Sequence, residues 1–165
     1  MRYRSAGVFV CTLLLLALTA LSGSARAGGD RLPKVKPSEN AGKTGKYQCK
    51  TSHAGYNYYV YVPKAYSETS PAGLHIFFHG QGGHGSAPNF GGWAKHFLEP
   101  YNLIGINMQY MDGDNAKDTR GKTDAALEAV LQTIADYKIV IGRGVISSFS
   151  GGGLPHAVYY TLHGR

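Results

Sequence analysis

Residues 144–153, Gly144-Val145-Ile146-Ser147-Ser148-Phe149-Ser150-Gly151-Gly152-Gly153, set a short apolar run against a serine and a run of glycines. Gly144 to Ser148 reads as an apolar strand, and Leu154 to Leu162 as a helix. Ser150 then lies on the turn between them. A serine hydroxyl is a weak nucleophile unless it is exposed, held and next to a base. A tight strand-to-helix turn achieves the first two. It brings the backbone so close that the residues two before and two after must be small, and here they are Ser148 and Gly152. Gly151 falls at the helix N-terminus, where free N–H groups face developing negative charge. The pattern is Ser-x-Ser-x-Gly rather than Gly-x-Ser-x-Gly, and serine is still small enough for the turn. Ser150 is thus the candidate nucleophile and Gly151 a candidate oxyanion donor.

Upstream, Leu74 to Phe78 and Leu103 to Met108 are further apolar runs of strand length. Between them the composition predicts a short helix over Trp93 to Leu98, stopped before Pro100. Thr123 is expected to cap a longer helix that runs to about Tyr137, with Asp124 complementing its dipole. Ala126, Val130 and Ile134, flanked by Leu127 and Leu131, would form its apolar face. Tyr47 to Thr51 and the aromatic, β-branched stretch Tyr56 to Val62 predict a hairpin turning at Ser52 to Gly55. Strands that alternate with helices imply an α/β fold built from parallel βαβ units.

A second motif, His79-Gly80-Gln81-Gly82-Gly83, directly follows the strand ending at Phe78. A tetrahedral intermediate needs two donors fixed on its oxyanion, and this glycine-rich loop is placed to supply the second. With both motifs, from about Tyr56 onward, the chain resembles the α/β-hydrolase superfamily, especially secreted esterases of the polyhydroxybutyrate-depolymerase and feruloyl-esterase type. The resemblance implies the N-terminal portion of an α/β-hydrolase fold: a hairpin, then parallel βαβ units up to the nucleophile turn and its helix. It implies cleavage of carboxylic esters through an acyl-serine intermediate, with no cofactor. It also implies that the residue after the His-Gly pair, Gln81, donates its N–H, with Gly82 the less favoured alternative. His79 is expected to order that loop by hydrogen bonding.

The superfamily's order is nucleophile, acid, histidine. After Ser150 the sequence holds no Asp or Glu, and its histidines are His156 and His163 on the predicted helix. Both are read as structural or surface residues. Asp112, Asp114 and Asp118 precede the nucleophile and are not promoted. The expectation is a C-terminally truncated chain with little activity, because a serine and oxyanion hole without a base retain only a small part of catalysis. A serine peptidase of the same fold is the alternative enzyme. A noncatalytic exported binding domain derived from a hydrolase is the alternative of another class.

The remaining features bound the setting. Residues 1–27 read as a signal peptide: Arg2 and Arg4, the apolar run Val8 to Leu21, and the small-x-small Ala25-Arg26-Ala27. That run is shorter than the ~20 residues needed to span a bilayer, so a secreted or periplasmic protein without a stable membrane anchor is expected. Residues 28–46 read as a flexible basic linker, and 47–165 as the hydrolase portion. The net charge of +7 is concentrated before Thr51, and from there on basic and acidic residues balance. No nucleic-acid partner is therefore expected, and an ester-containing small molecule or polymer is the expected substrate. Cys49 is the lone cysteine after the leader. Gly42-Lys43-Thr44 and Gly121-Lys122-Thr123 lack the upstream glycine of a phosphate loop. His75, His79 and His84 come with no HExxH or cysteine partner, so no metal is expected.

Overall fold

The computed structural model describes residues 34–82, 89–110 and 117–163. The proposed signal peptide lies outside them. Five strands form one sheet: β1 (Gly45–Lys50), β2 (Tyr56–Val62), β3 (Ala72–Phe78), β4 (Leu103–Tyr110) and β5 (Ile139–Ser148). Their spatial order is β1-β2-β4-β3-β5. β1 and β2 form the expected antiparallel hairpin, and β2 also runs antiparallel to β4. β3 lies between β4 and β5 and is parallel to both. The strands expected from apolar runs are therefore the parallel part of the sheet, with β4 and β3 inside it and β5 at its edge.

Every residue of β4 is buried, as a strand covered on both faces requires. On one face Ile76, Phe78, Ile104, Ile106, Met108 and Tyr110 meet the helices that follow β4 and β5. On the other, Phe90, Leu98 and Leu103 form a smaller cluster under the connection from β3 to β4. Burying each such large apolar side chain is worth about 1.5–3 kcal/mol. The connection is one α-helical turn, α1 (Gly91–Trp93), running into a π-helical turn over Ala94–Leu98. The Glu99 N–H bonds the Ala94 carbonyl five residues back, which is the π pattern.

The long helix α2 (Thr119–Asp136) begins four residues before the expected cap at Thr123. Asp118 caps it instead. Asp118 sits in the left-handed region at φ 46°, and its carboxylate accepts from the Gly121 N–H. The Tyr56 hydroxyl donates to the same carboxylate at 2.6 Å, and with the Gly121 bond holds it below its usual pKa. Thr123 is buried inside the helix, and its hydroxyl donates to the Arg120 carbonyl. The buried face also differs from the expected one: it is made of Ala125, Ala126, Ala129 and Thr133, while Ile134 is exposed. Small residues let the helix lie close on the sheet, and its larger side chains fall to the flanks.

Lys122 is fully buried on that face, its ammonium 5.7 Å from the Tyr56 ring centre and 5.5 Å from that of Tyr110. It donates to the Lys117 carbonyl. These aromatic faces and the carbonyl offset the desolvation of the charge. From Lys34 onward, part of the stretch expected as a linker is anchored to the C-terminal end of α2. The Ser38 amide and hydroxyl both donate to the Asp136 carboxylate, at 2.6 and 2.7 Å.

β5 starts five residues before the expected Gly144 and forms one edge of the sheet. Its pairing with β3 shifts register between Ala72 and Leu74, beside Gly142 at φ 81°. Among the described residues no strand lies beyond it, and Ile141 is 99% exposed. After β5 comes a 3₁₀ turn, Ser150–Gly152, and then α3 (Gly153–His163).

Candidate active site

Parallel neighbours deliver their C-terminal ends to the same edge of the sheet. Phe78, the last residue of β3, is in register with Ser148, the last residue of β5. The His79–Gly82 loop and the Ser150 turn therefore leave from one rung, in the crevice where α/β sheets bind ligands. The Phe149 N–H donates to the Phe78 carbonyl at 3.1 Å, extending that rung into the turn.

Phe149 is still extended, at φ −125° and ψ 134°, and the chain then reverses at Ser150, whose φ is 49°. A side-chain-bearing residue in the left-handed region costs roughly 1–2 kcal/mol. Ser150 is exposed, so the conformation lifts its hydroxyl out of the sheet. Tightness is enforced at two glycines. A Cβ on Gly152 would lie 2.3 Å from the Phe78 carbonyl oxygen and 2.5 Å from that of His79. A Cβ on Gly80 would lie 3.0 Å from the Phe149 ring and 3.3 Å from the Ser150 Cβ. The serine turn and the glycine-rich loop are thus in direct contact. Gly151 stands in the 3₁₀ turn that leads into α3, where N–H groups lack partners within the helix. Gln81 and Gly82 follow Gly80 on the loop and are exposed, with Gly82 at φ 69°; Gly83 and His84 lie outside the described residues.

His79 is buried and anchors that loop. Its Nε2 accepts the Tyr110 N–H at 3.4 Å, which leaves the proton on Nδ1 to donate to the Gly80 carbonyl at 2.7 Å. Its ring also packs on Tyr110, with centres 5.2 Å apart. His75 does something else. It faces the other side of the sheet, stacks on Trp93 at 5.1 Å and bonds the Ser147 hydroxyl at 2.7 Å. Burial pushes its pKa down to about 4, so the ring is neutral at pH 7.

Both histidines of α3 face groups other than Ser150. His156 Nδ1 lies 2.9 Å from the Ser148 hydroxyl, and its ring lies parallel to Phe78, 6.1 Å away at 7°. His163 sits at the far end of α3, about 15 Å from the turn at 1.5 Å per residue. There its Nε2 is 3.7 Å from Asp124, which also pairs with Arg120 at 2.9 Å. Asp118 is engaged in capping α2, and Asp112 and Asp114 lie outside the described residues. Sequence reasoning had assigned Ser148 no more than small size, and had missed the bonds that Ser147 and Ser148 make to histidines.

No protein-family model and no curated protein matches the chain. Solved structures do. One is a thermostable esterase, with TM-score 0.54 and 18% identity over 68% of this chain and 36% of the other. Another is the apo form of Thermogutta terrifontis esterase 2, with TM-score 0.50 and 18% identity over 73% of this chain and 46% of the other. The chain spans between about a third and a half of the length of these structures. At this identity the likeness is one of fold, and together with the strand order and the turn after β5 it makes the chain the N-terminal portion of an α/β-hydrolase fold.

Proposed function

We propose that this chain carries the nucleophile and oxyanion-binding half of a serine hydrolase that cleaves carboxylic esters. The observation that carries the reading is Ser150 itself: a non-glycine residue at φ 49°, exposed, between a parallel strand and a helix, against a glycine-rich loop. Backbone strain of this kind persists where the surroundings over-determine it, and it clusters at functional sites. Both structural neighbours are esterases, which supports an ester substrate.

In this reading the Ser150 hydroxyl attacks the ester carbonyl, and the amides of Gly151 and Gln81 hold the oxyanion. The acyl group passes to Ser150, the alcohol leaves, and water releases the acid. Removing one such donor typically costs 10²–10³ in rate. The reaction also needs a base for the Ser150 proton. His156 is turned to Ser148 and His163 stands a helix length away, so neither is assigned that role. The leader-like residues 1–27 support an exported enzyme acting on a small or polymeric ester.

A fluorophosphonate probe tests the nucleophile. The expected result is labelling that Ser150→Ala abolishes, and labelling that survives the substitution refutes it. The complete enzyme is expected to hydrolyse p-nitrophenyl esters. Turnover of aminoacyl-nitroanilides alone refutes the ester assignment and favours a peptidase.

A further inference from the structure

We infer that His156 is a positioning residue, which sets the spacing between the nucleophile turn and the oxyanion loop through Ser148. The inference rests on the reading of Ser150 as nucleophile. In a Gly-x-Ser-x-Gly turn the first position has no side chain. Here it is Ser148, and its hydroxyl is held by His156 Nδ1 at 2.9 Å, from the first turn of α3. The other face of the contact is Phe78, fully buried, on which the His156 ring lies nearly parallel.

Ser148 and Phe78 are partners in register, and they are the last strand residues before the two loops of the site. His156 therefore touches both sides of the rung from which Ser150 and Gln81 depart. The same rung takes the Phe149–Phe78 backbone bond, and the Gly152 backbone presses on its carbonyl. A side chain that grips β5 through a hydrogen bond and β3 through a ring face fixes α3 against both strands. The Gly151 amide at the head of α3 is then held at a set distance from the loop bearing the Gln81 amide. Reaction rates are sensitive to this spacing: a displacement of about 1 Å can cost on the order of 100-fold.

The test is the rate of fluorophosphonate labelling of the complete enzyme, base included, for His156→Phe, Ser148→Ala and the double variant, with thermal melts of each. His156→Phe keeps a ring on Phe78 and removes the bond. Each single variant is expected to label roughly tenfold more slowly. The double variant is expected to be no slower than the slower single one, because both remove the same bond. His156→Gln is expected to recover part of the loss. Amide exchange at Gly80–Gly82 is expected to quicken in both single variants.

Labelling within twofold of the unaltered enzyme in folded Ser148→Ala overturns the inference. Fold-changes that multiply in the double variant also overturn it. If His156→Phe does not fold, Ser148→Ala alone decides, since it removes one hydroxyl and leaves the ring stack. No labelling of the complete enzyme, or labelling that persists in its Ser150→Ala variant, instead refutes the nucleophile reading, and this inference with it.

Discussion

Two adjacent glycines after Ser150 are expected to respond to alanine with opposite signs. At Gly152 an added methyl lies 2.3 Å from the Phe78 oxygen, 2.5 Å from the His79 oxygen and 2.9 Å from the Phe78 carbonyl carbon. Ordinary contact begins near 3.4 Å, so the shortfall is about 1 Å, and all three atoms are backbone. They move only if the end of β3 moves. Overpacking of this kind costs about 1–3 kcal/mol, and the same displacement separates Ser150 from the loop at Gly80. At Gly153 nothing lies within 4 Å of the added methyl, and the residue is already helical at φ −60°. Alanine there gains helix propensity, about 0.5–1 kcal/mol. The assay is a urea melt followed by circular dichroism, with fluorophosphonate labelling of each variant. Gly152→Ala is expected to lose about 2 kcal/mol and to label about 100-fold more slowly. Gly153→Ala is expected to be slightly stabilised and to label normally. Equal effects at the two positions, or an unperturbed Gly152→Ala, would refute the packing argument.

Ser150→Gly is expected to raise stability by roughly 1 kcal/mol, because glycine adopts φ 49° without the penalty, while labelling disappears; a neutral or negative melt shift contradicts the strain. Lys122→Ala is expected to cost about 2–4 kcal/mol, since it empties the space between Tyr56 and Tyr110; a change within 0.5 kcal/mol, roughly what a surface substitution gives, refutes the buried placement. His75 has a depressed pKa, about 4 folded against 6.5 unfolded, so the unfolded chain binds more protons between these values. Its contribution is complete above about pH 6.5 and is lost as pH falls towards 4, about 2.5 kcal/mol between pH 7 and pH 4.5. His75→Phe is expected to remove that part of the acid dependence in urea melts, and an unchanged pH slope contradicts it.

The parts of the fold legible in the sequence were those whose signals are local. β2 matches its expected limits, because aromatic and β-branched residues fill it almost without a break and Pro63 ends it. The strand, turn and helix around Ser150 were legible for the same reason. The start of α2 was not. Asp118 and Thr123 are both acceptable caps by residue type, and the choice falls to Asp118 because Tyr56, 62 residues away, donates to its carboxylate. The first half of β5 was hidden by Gly142-Arg143-Gly144, which breaks any strand pattern and is carried by pairing to β3. At the site, the Ser150 turn and the Gly80 loop could be named from composition. The bonds of Ser147 to His75 and Ser148 to His156 span 72 and 8 residues, and no spacing rule announces them.

The outer edge of β5 has a bearing on how this chain behaves as a solute. A bare strand edge is a template on which another polypeptide can add its own strand. Here a wholly exposed isoleucine, Ile141, stands on that edge, with Gly142 and Arg143 after it. The left-handed glycine kinks the edge, which works against a second strand laid on it in register, while the Arg143 guanidinium is engaged with the Tyr101 carbonyl. Ile141 is then the apolar side chain on which such association would begin, and a charged residue in its place is expected to keep the protein dispersed at higher concentration.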